Sequence, residues 1–232
     1  MPINKGTITK KISLTSDVFD FRIKTAALFD FKAGQYISIK ICDDPSKPCF
    51  RPYSIASSPH QTVTLNICLK VIPNGRASTW LNTLQPNTNL EFLGPIGNFL
   101  FQPNTKTTLF IATGTGIAPL KSMIEDELSK DNKQNLHLIF GVRHIRDIFY
   151  KEFFEALAAK HPNFKFTLTL SQPEGPHEAQ TGRVTDFLQN LAIDPENTSA
   201  YICGLKAMIT DVTAILEEKG IPKTEIHFEK YD

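Results

Sequence analysis

Three short segments place ligand-gripping residue types at spacings that suit phosphates and flat rings. RPYS, residues 51–54, sets a fixed cation, an aromatic and a hydroxyl on one extended run. Side chains alternate across a strand, so Arg51 and Tyr53 share a face, and a guanidinium and a ring there can hold the phosphate and the aromatic system of one ligand. Pro52 and Ser54 complete the segment, with Ser54 left to hydrogen-bond through its hydroxyl or backbone. NGRASTWL, residues 74–81, reads as a turn at Gly75 followed by a helix start at Ser78 and Thr79. Free N–H groups at such a start are met by the hydroxyls or by a phosphate, and both readings fit. Trp80 is expected in packing. GTGIAP, residues 114–119, falls where a strand should turn into a helix. Gly114, Thr115 and Gly116 would let the backbone approach a pyrophosphate at a helix N-terminus. Pro119 stands where the G-x-G-x-x-G fingerprint has its third glycine, and it is also an ordinary residue for a first helical turn.

Other chemistry is disfavoured. His60, His137, His144, His161, His177 and His227 are dispersed, so no metal site is expected. Cys42, Cys49, Cys68 and Cys203 show no C-x-x-C spacing and no cluster fit for an iron–sulfur centre. Reduced thiols are expected, Cys42 and Cys49 being the pair weighed for a disulfide. The 232 residues carry 25 basic and 24 acidic side chains, a net charge of +1, which provides no general hold on nucleic acid or an anionic membrane. The N-terminus alternates polar and apolar residues, and no stretch approaches the ~20 apolar residues of a membrane span. A cytoplasmic protein acting on small molecules is the expectation.

These segments need two kinds of scaffold. Short strands with turn signals at 6–14, 18–24, 35–41, 52–56 and 62–71, one helix at 78–84 and a polar loop at 43–48 imply a small antiparallel β-barrel or sandwich over residues 1–103, the barrel being the expected form. The rhythm changes after residues 102–106. Over 104–232, strands at 108–113, 136–140, 165–170, 200–203 and 225–228 alternate with helices at 117–128, 147–160, 184–191 and 205–219. That alternation implies right-handed crossovers and an α/β domain with a parallel sheet. Ligands bind such sheets at the carboxyl ends of the strands, so the turns at 113–116 and 203–204 should face one cleft.

In this order the motifs resemble the ferredoxin–NADP reductase superfamily, within it the compact bacterial NAD(P)H-flavin and ferredoxin or flavodoxin reductases. The resemblance rests on Arg51, Tyr53 and Ser54; Gly75, Ser78 and Thr79; residues 94–99; residues 114–119; Gly141 and Arg143; and Cys203, Gly204 and Met208. It implies FAD on the barrel, with Arg51 on the flavin pyrophosphate, Tyr53 on the ring and Ser54 near flavin N5, where the hydride arrives. The turn at 75–79 would hold the rest of the pyrophosphate. Thr115, Cys203 and Gly204 would border the nicotinamide, with Cys203 not a nucleophile. An aromatic near the C-terminus would cover the flavin, Tyr231 being the candidate and Phe228 the alternative. Tyr150 would stack on adenine. Arg143, Arg146 and Arg183 stand where a 2′-phosphate is read, whereas Gln172 stands where several NADPH-dependent relatives carry arginine. Both NADH and NADPH are therefore expected, with NADPH favoured. The resemblance implies electron delivery to a ferredoxin, flavodoxin or oxygenase component. A free-flavin reductase, a subunit of a larger electron-transfer complex and a nucleotide sensor are the competing readings.

Overall fold

The computed structural model describes residues 2–60, 63–102, 106–130 and 133–231, and divides into two compact units. The first comprises Met1–Phe101 with Lys121–Asp126, the second Gln102–Leu120 with Glu127–Asp232. The boundary expected at 103/104 lies outside the described residues.

In the first unit β1 (Asn4–Ser13), β2 (Val18–Thr25), β3 (Tyr36–Ile41), β4 (Cys49–Ser54), β5 (Thr64–Lys70) and β6 (Asn89–Ile96) form an antiparallel sheet in the order β4-β3-β6-β1-β2-β5. A bridge between Ile55 and Ile67 draws the end of β4 to β5 and curls the sheet into a barrel. The strands form because apolar residues recur with period two. In YISIKI, Ile37, Ile39 and Ile41 are fully buried, each contributing ~1.5–3 kcal/mol. Helix α1 (Arg76–Thr83) buries Leu81 in the same core as Phe21 and Phe92.

In the second unit β7 (Thr107–Thr113), β8 (Leu136–Val142), β9 (Phe164–Leu170), β10 (Gln180–Thr181), β11 (Thr198–Leu205) and β12 (Ile226–Tyr231) make a parallel sheet in the order β10-β9-β8-β7-β11-β12. Helices α2 (Ile117–Ser129), α3 (Lys151–Lys160), α4 (Val184–Asn190) and α5 (Lys206–Glu218) connect the strands. LHLIFGV of β8 is buried throughout, as a strand covered on both faces must be.

Several boundaries differ from expectation. β4 starts at Cys49 instead of residue 52, because Pro52 is tolerated on a strand at the sheet's edge. β6 was not anticipated; Gly94 and Pro95 of the 94–99 segment lie inside it. Helix α1 begins at Arg76, two residues before the predicted start. The helix predicted over 147–160 begins only at Lys151, after a short 3₁₀ turn (Ile145–Asp147) and Tyr150 at φ +58°. The predicted strand 62–71 opens on Thr62, which lies outside the described residues. The last strand runs to Tyr231 because it follows β11 in register as far as Leu205.

Candidate functional site: two cofactor cradles

On the barrel, Tyr53 and Arg51 pair across the ladder with Ile37 and Ile39. Directly opposed residues share a face, so both side chains stand on the face of the edge strand that carries Ile37 and Ile39. Tyr53 packs its ring against the core cluster, and burial drives its hydroxyl up to about 12. Arg51 is exposed. Its guanidinium donates to the Phe50 carbonyl at 2.9 Å and meets no carboxylate among the described residues. An anchored ring beside an uncommitted cation fits a flavin carrying a pyrophosphate. Ser54 ends the strand and is buried.

The Gly75 turn behaves differently from expectation. Gly75 is the N-cap of α1 and has no side chain to cap with. The Ser78 hydroxyl accepts from Ile72 N–H at 3.0 Å and donates to the Gly75 carbonyl at 3.2 Å, so it shapes the turn from within. Thr79 is exposed and, with Asp43, Asn74, Gly75, Arg76 and Trp80, lines a hollow of about 390 Å³. Trp80 also packs against the barrel core, as expected.

In the second unit the chain winds outward from β7 through β8 and β9, then returns to place β11 on the other side of β7. The reversal between β7 and β11 is the point at which such sheets open a ligand crevice. Both glycine turns stand there. A Cβ on Gly116 would lie 2.4 Å from the Cys203 carbonyl oxygen, so the close approach of the two turns needs glycine. A Cβ on Gly204, whose φ is +155°, would lie 2.5 Å from both Thr113 Oγ1 and Met208 Cε. Gly114, at φ +53°, has nothing within 4 Å of that position, so one side of the turn is open. The Thr113 hydroxyl is buried there without a hydrogen-bond partner. A bare-backbone turn with room beside it and an unsatisfied hydroxyl at its base fits a dinucleotide. Cys203 is fully buried and its thiol is pushed well up by desolvation, so it offers no thiolate. Pro119 is buried in the first turn of α2, where its part is to start the helix. Met208 backs Gly204.

Tyr150 stands at the N-cap of α3. Its ring meets Phe149, Phe153 and Phe154 with centroids at 5.3, 6.3 and 6.5 Å, and it is half-buried. Arg146 is also engaged, donating to Glu174 at 2.8 Å. Arg143 and Arg183 are exposed and meet no carboxylate through their guanidinium groups among the described residues. Tyr231 pairs in register with Leu205, next to Gly204, so β12 carries it to the same end of the sheet as the glycine turns. Phe228 pairs three residues lower, with Ile202, is 47% exposed, and has Lys230 Nζ 5.3 Å from its ring centre. The four cysteines are free thiols, and no group of three metal-ligating side chains occurs among the described residues. No helix there is long and apolar enough to cross a membrane.

Residues 5–101 match the family model of the oxidoreductase FAD-binding domain, and residues 110–214 that of the oxidoreductase NAD-binding domain. The chain is 32% identical to the ferredoxin–NAD(P)(+) reductase component of naphthalene 1,2-dioxygenase/salicylate 5-hydroxylase systems from Ralstonia sp., over 99% of this chain and 69% of that protein. It is 32% identical to ferredoxin–NADP reductase B of Sorangium cellulosum, over 88% of this chain and 86% of the relative. In fold it is similar to a ferredoxin NADP+ reductase from Neisseria gonorrhoeae solved with FAD and NADP bound, with a TM-score of 0.87, 22% identity and 99% of each chain covered.

Proposed function

The chain belongs to the ferredoxin–NADP reductase superfamily, an FAD-dependent oxidoreductase drawing on NAD(P)H, and from that premise we propose how its residues divide the work. Arg51 holds the flavin pyrophosphate and Tyr53 lies against the flavin ring. Pro52 keeps the edge strand extended between them. Ser54 closes the strand beside the reacting edge of the ring. Gly75 and Thr79 line the space for the remainder of the dinucleotide, and Ser78 holds that turn in shape. In the second unit Gly114, Thr115 and Gly116 cradle the nicotinamide nucleotide, while Cys203 and Gly204, backed by Met208, wall its ring. Arg143 reads the 2′-phosphate, and both nucleotides are used with NADPH preferred. Tyr150 supports the loop that carries Arg143 through its aromatic cluster, and Pro119 fixes the start of α2.

Bound FAD supplies hydride acceptance from the nicotinamide and release of the electrons one at a time. The protein's contribution is orientation. Neither the buried Cys203 thiol nor any metal cluster is needed to move a proton or a nucleophile. Tyr231, brought to the glycine-turn end of the sheet, shields the reactive face and yields to the incoming nicotinamide. The acceptor is a ferredoxin, flavodoxin or oxygenase component, and the four free thiols suit a cytoplasmic setting.

The observation that carries this reading is the pairing of a strand-borne cation and ring in one unit with two facing glycine turns at the sheet reversal of the other. Anaerobic mixing of the purified, flavin-loaded protein with NADPH or NADH tests it. Flavin absorbance should bleach in a single rapid phase and recover on adding an oxidised ferredoxin or flavodoxin. Ser54→Ala should slow the bleaching with flavin content unchanged, and an unaltered rate would leave Ser54 with a structural part only. Flavin that leaves on dialysis would point to a free-flavin reductase.

A further inference from the structure

The net charge of +1 is an average over unlike halves. Residues 1–101 carry eleven basic and six acidic side chains, residues 102–232 fourteen basic and eighteen acidic. Four of the barrel's cations stand together on the outer face of β1 and β2. Ile8 and Ile23, paired across the ladder, are fully buried, so the residues that alternate with them face solvent. Lys24 stands opposite Thr7, and Arg22 directly opposite Lys10, past a bulge in β1. Lys5 lies one pair further along, its carbonyl accepting from Ala26 N–H at 2.9 Å. Lys5, Lys10, Arg22 and Lys24 are all exposed. Like charges directly opposite each other weaken a ladder. No carboxylate pairs with Lys10, Arg22 or Lys24 among the described residues. Glu91, opposite Lys5 on β6, is held by Lys40 at 2.7 Å, and Asp20 is buried and accepts from Asn66 at 3.1 Å. The exposed Asp30 is matched by Lys32 on the same loop.

The same strands end in exposed aliphatic side chains. Ile3, just before β1, is 50% exposed, Leu28, after β2, 78%, and Val63, before β5, 46%. Backbone and packing bring these ends together: Thr25 N–H donates to the Val63 carbonyl at 3.0 Å, and Ile3 and Leu28 line one hollow of about 270 Å³ with Lys5 and Ala26. Exposed aliphatic residues scattered singly need no explanation. Three at one end of three adjacent strands, beside a stripe of cations, form a patch. Its composition says what it fits. Lysine is depleted from protein–protein interfaces, and leucine and valine are under-represented among their hot spots. Lysine and arginine beside aliphatic side chains suit anionic headgroups over an acyl boundary.

We propose that this face of the barrel is a peripheral membrane-binding surface, which sets Lys5, Lys10, Arg22 and Lys24 on anionic lipid headgroups and dips Ile3, Leu28 and Val63 into the interface. Each cation adds attraction that acts within a Debye length of the bilayer, and the aliphatic tips add burial that salt does not screen. Such attachment needs no transmembrane helix. The surface shares no residue with the two cofactor cradles, so weakening it should leave flavin and nucleotide binding intact.

Cosedimentation of the flavin-loaded protein with lipid vesicles is the test. Binding to phosphatidylcholine vesicles containing ~30% phosphatidylglycerol should be at least about tenfold tighter than to phosphatidylcholine alone, and should fall as salt is raised. Arg22→Glu combined with Lys24→Glu should weaken it by about 10- to 100-fold. Leu28→Asp should weaken it by roughly three- to tenfold. These variants change exposed side chains only, so flavin content and the rate at which NADPH bleaches the flavin should match the wild type. Lys160→Glu, an exposed cation at the end of α3, is the control and should leave vesicle binding within about twofold. Equal binding to both kinds of vesicle, or an equal loss in Lys160→Glu, would overturn the inference. So would an unchanged vesicle affinity in the double variant together with a raised KM for an acidic ferredoxin, which would make the face a protein dock.

Discussion

On the assignments proposed above, the two units would hold their cofactors by opposite means. The barrel would grip with side chains: a guanidinium on an edge strand and a ring anchored in the core. The parallel sheet would grip with the absence of side chains. At its reversal, Gly114, Gly116 and Gly204 keep two turns bare, and Cβ atoms at the latter two would collide with backbone or buried groups. A side-chain grip can be weakened one residue at a time with the fold intact. A bare-backbone grip is part of the fold: at Gly116 and Gly204 a side chain cannot be added without moving the groups packed against them. Mutations should separate the units accordingly.

The largest effect is expected at Gly116. Alanine there would set a Cβ 2.4 Å from the Cys203 carbonyl oxygen, a backbone atom that can move only with β11. Overpacking of this kind costs typically 1–3 kcal/mol, and here it also displaces the nucleotide cradle. Gly116→Ala should lower NAD(P)H affinity by at least about 100-fold and lower the melting temperature, both read on one flavin-loaded sample. Gly114→Ala makes the contrast sharper. Its Cβ meets nothing, so no neighbour has to move, and the stability loss should be confined to the ~1–2 kcal/mol of strain that alanine carries at φ +53°, with nucleotide binding lost in so far as the open side of the turn is where the ligand lies. Normal nucleotide affinity in both variants would break the comparison.

Next in size is Arg51→Ala. The removed cation is exposed and bonds only its neighbour's carbonyl, so the stripped protein should melt as before. FAD affinity should fall by roughly 1.5–3 kcal/mol, measured by flavin titration. A fall in stability with no fall in affinity would show that the barrel too holds its ligand through its fold.

How these features could be read from the sequence follows the same division. Residue types mark out Arg51, Tyr53 and Ser54 as candidates for a side-chain grip, and glycines at strand ends mark Gly114, Gly116 and Gly204 as turn positions where the backbone can be approached closely. The barrel and the parallel sheet were legible from hydrophobic periods. What escaped was set by tertiary context. β6 carries Gly94 and Pro95 inside a strand, which local propensity reads as a turn. Tyr150 takes φ +58°, a left-handed conformation that a non-glycine residue rarely adopts and that its type does not announce. Arg76 and Asp43 lie 33 residues apart, and only the fold joins them.

Acid should separate the units as well. His137 lies buried on β8, hydrogen-bonded to Thr167 at 2.9 Å and edge-on to Phe187, and burial lowers its pKa to about 4. The unfolded chain then binds the proton that the folded one refuses between about pH 6.5 and 4, so stability falls as pH drops through that window and is flat above it. At pH 5 the loss is about 2 kcal/mol. Hydrogen exchange at pH 5 against pH 7.5 should show the parallel sheet opening more than the barrel, and His137→Gln should remove most of the difference, leaving the part due to His227 on β12, whose pKa burial also lowers. Equal loosening of both units would take His137 out of the account.

The smallest effect concerns a charged side chain of the second unit. Arg143 and Arg146 are three residues apart after β8, and sequence alone weights them equally for reading a 2′-phosphate. Arg146 is already on Glu174 at 2.8 Å, both side chains being 64% exposed. Taking it for a ligand would mean giving up that partner, so its net gain is small. Arg143 has no carboxylate partner among the described residues and gains the whole contact. Arg143→Ala should therefore weaken NADPH by about tenfold, or ~1.4 kcal/mol, and leave NADH unchanged, whereas Arg146→Ala should change either by less than about threefold. Specificity constants for both nucleotides check this. If Arg143→Ala loses NADH and NADPH equally, the arginine shapes the loop instead of reading the phosphate, and nucleotide choice in the sheet rests, like the rest of its grip, on backbone.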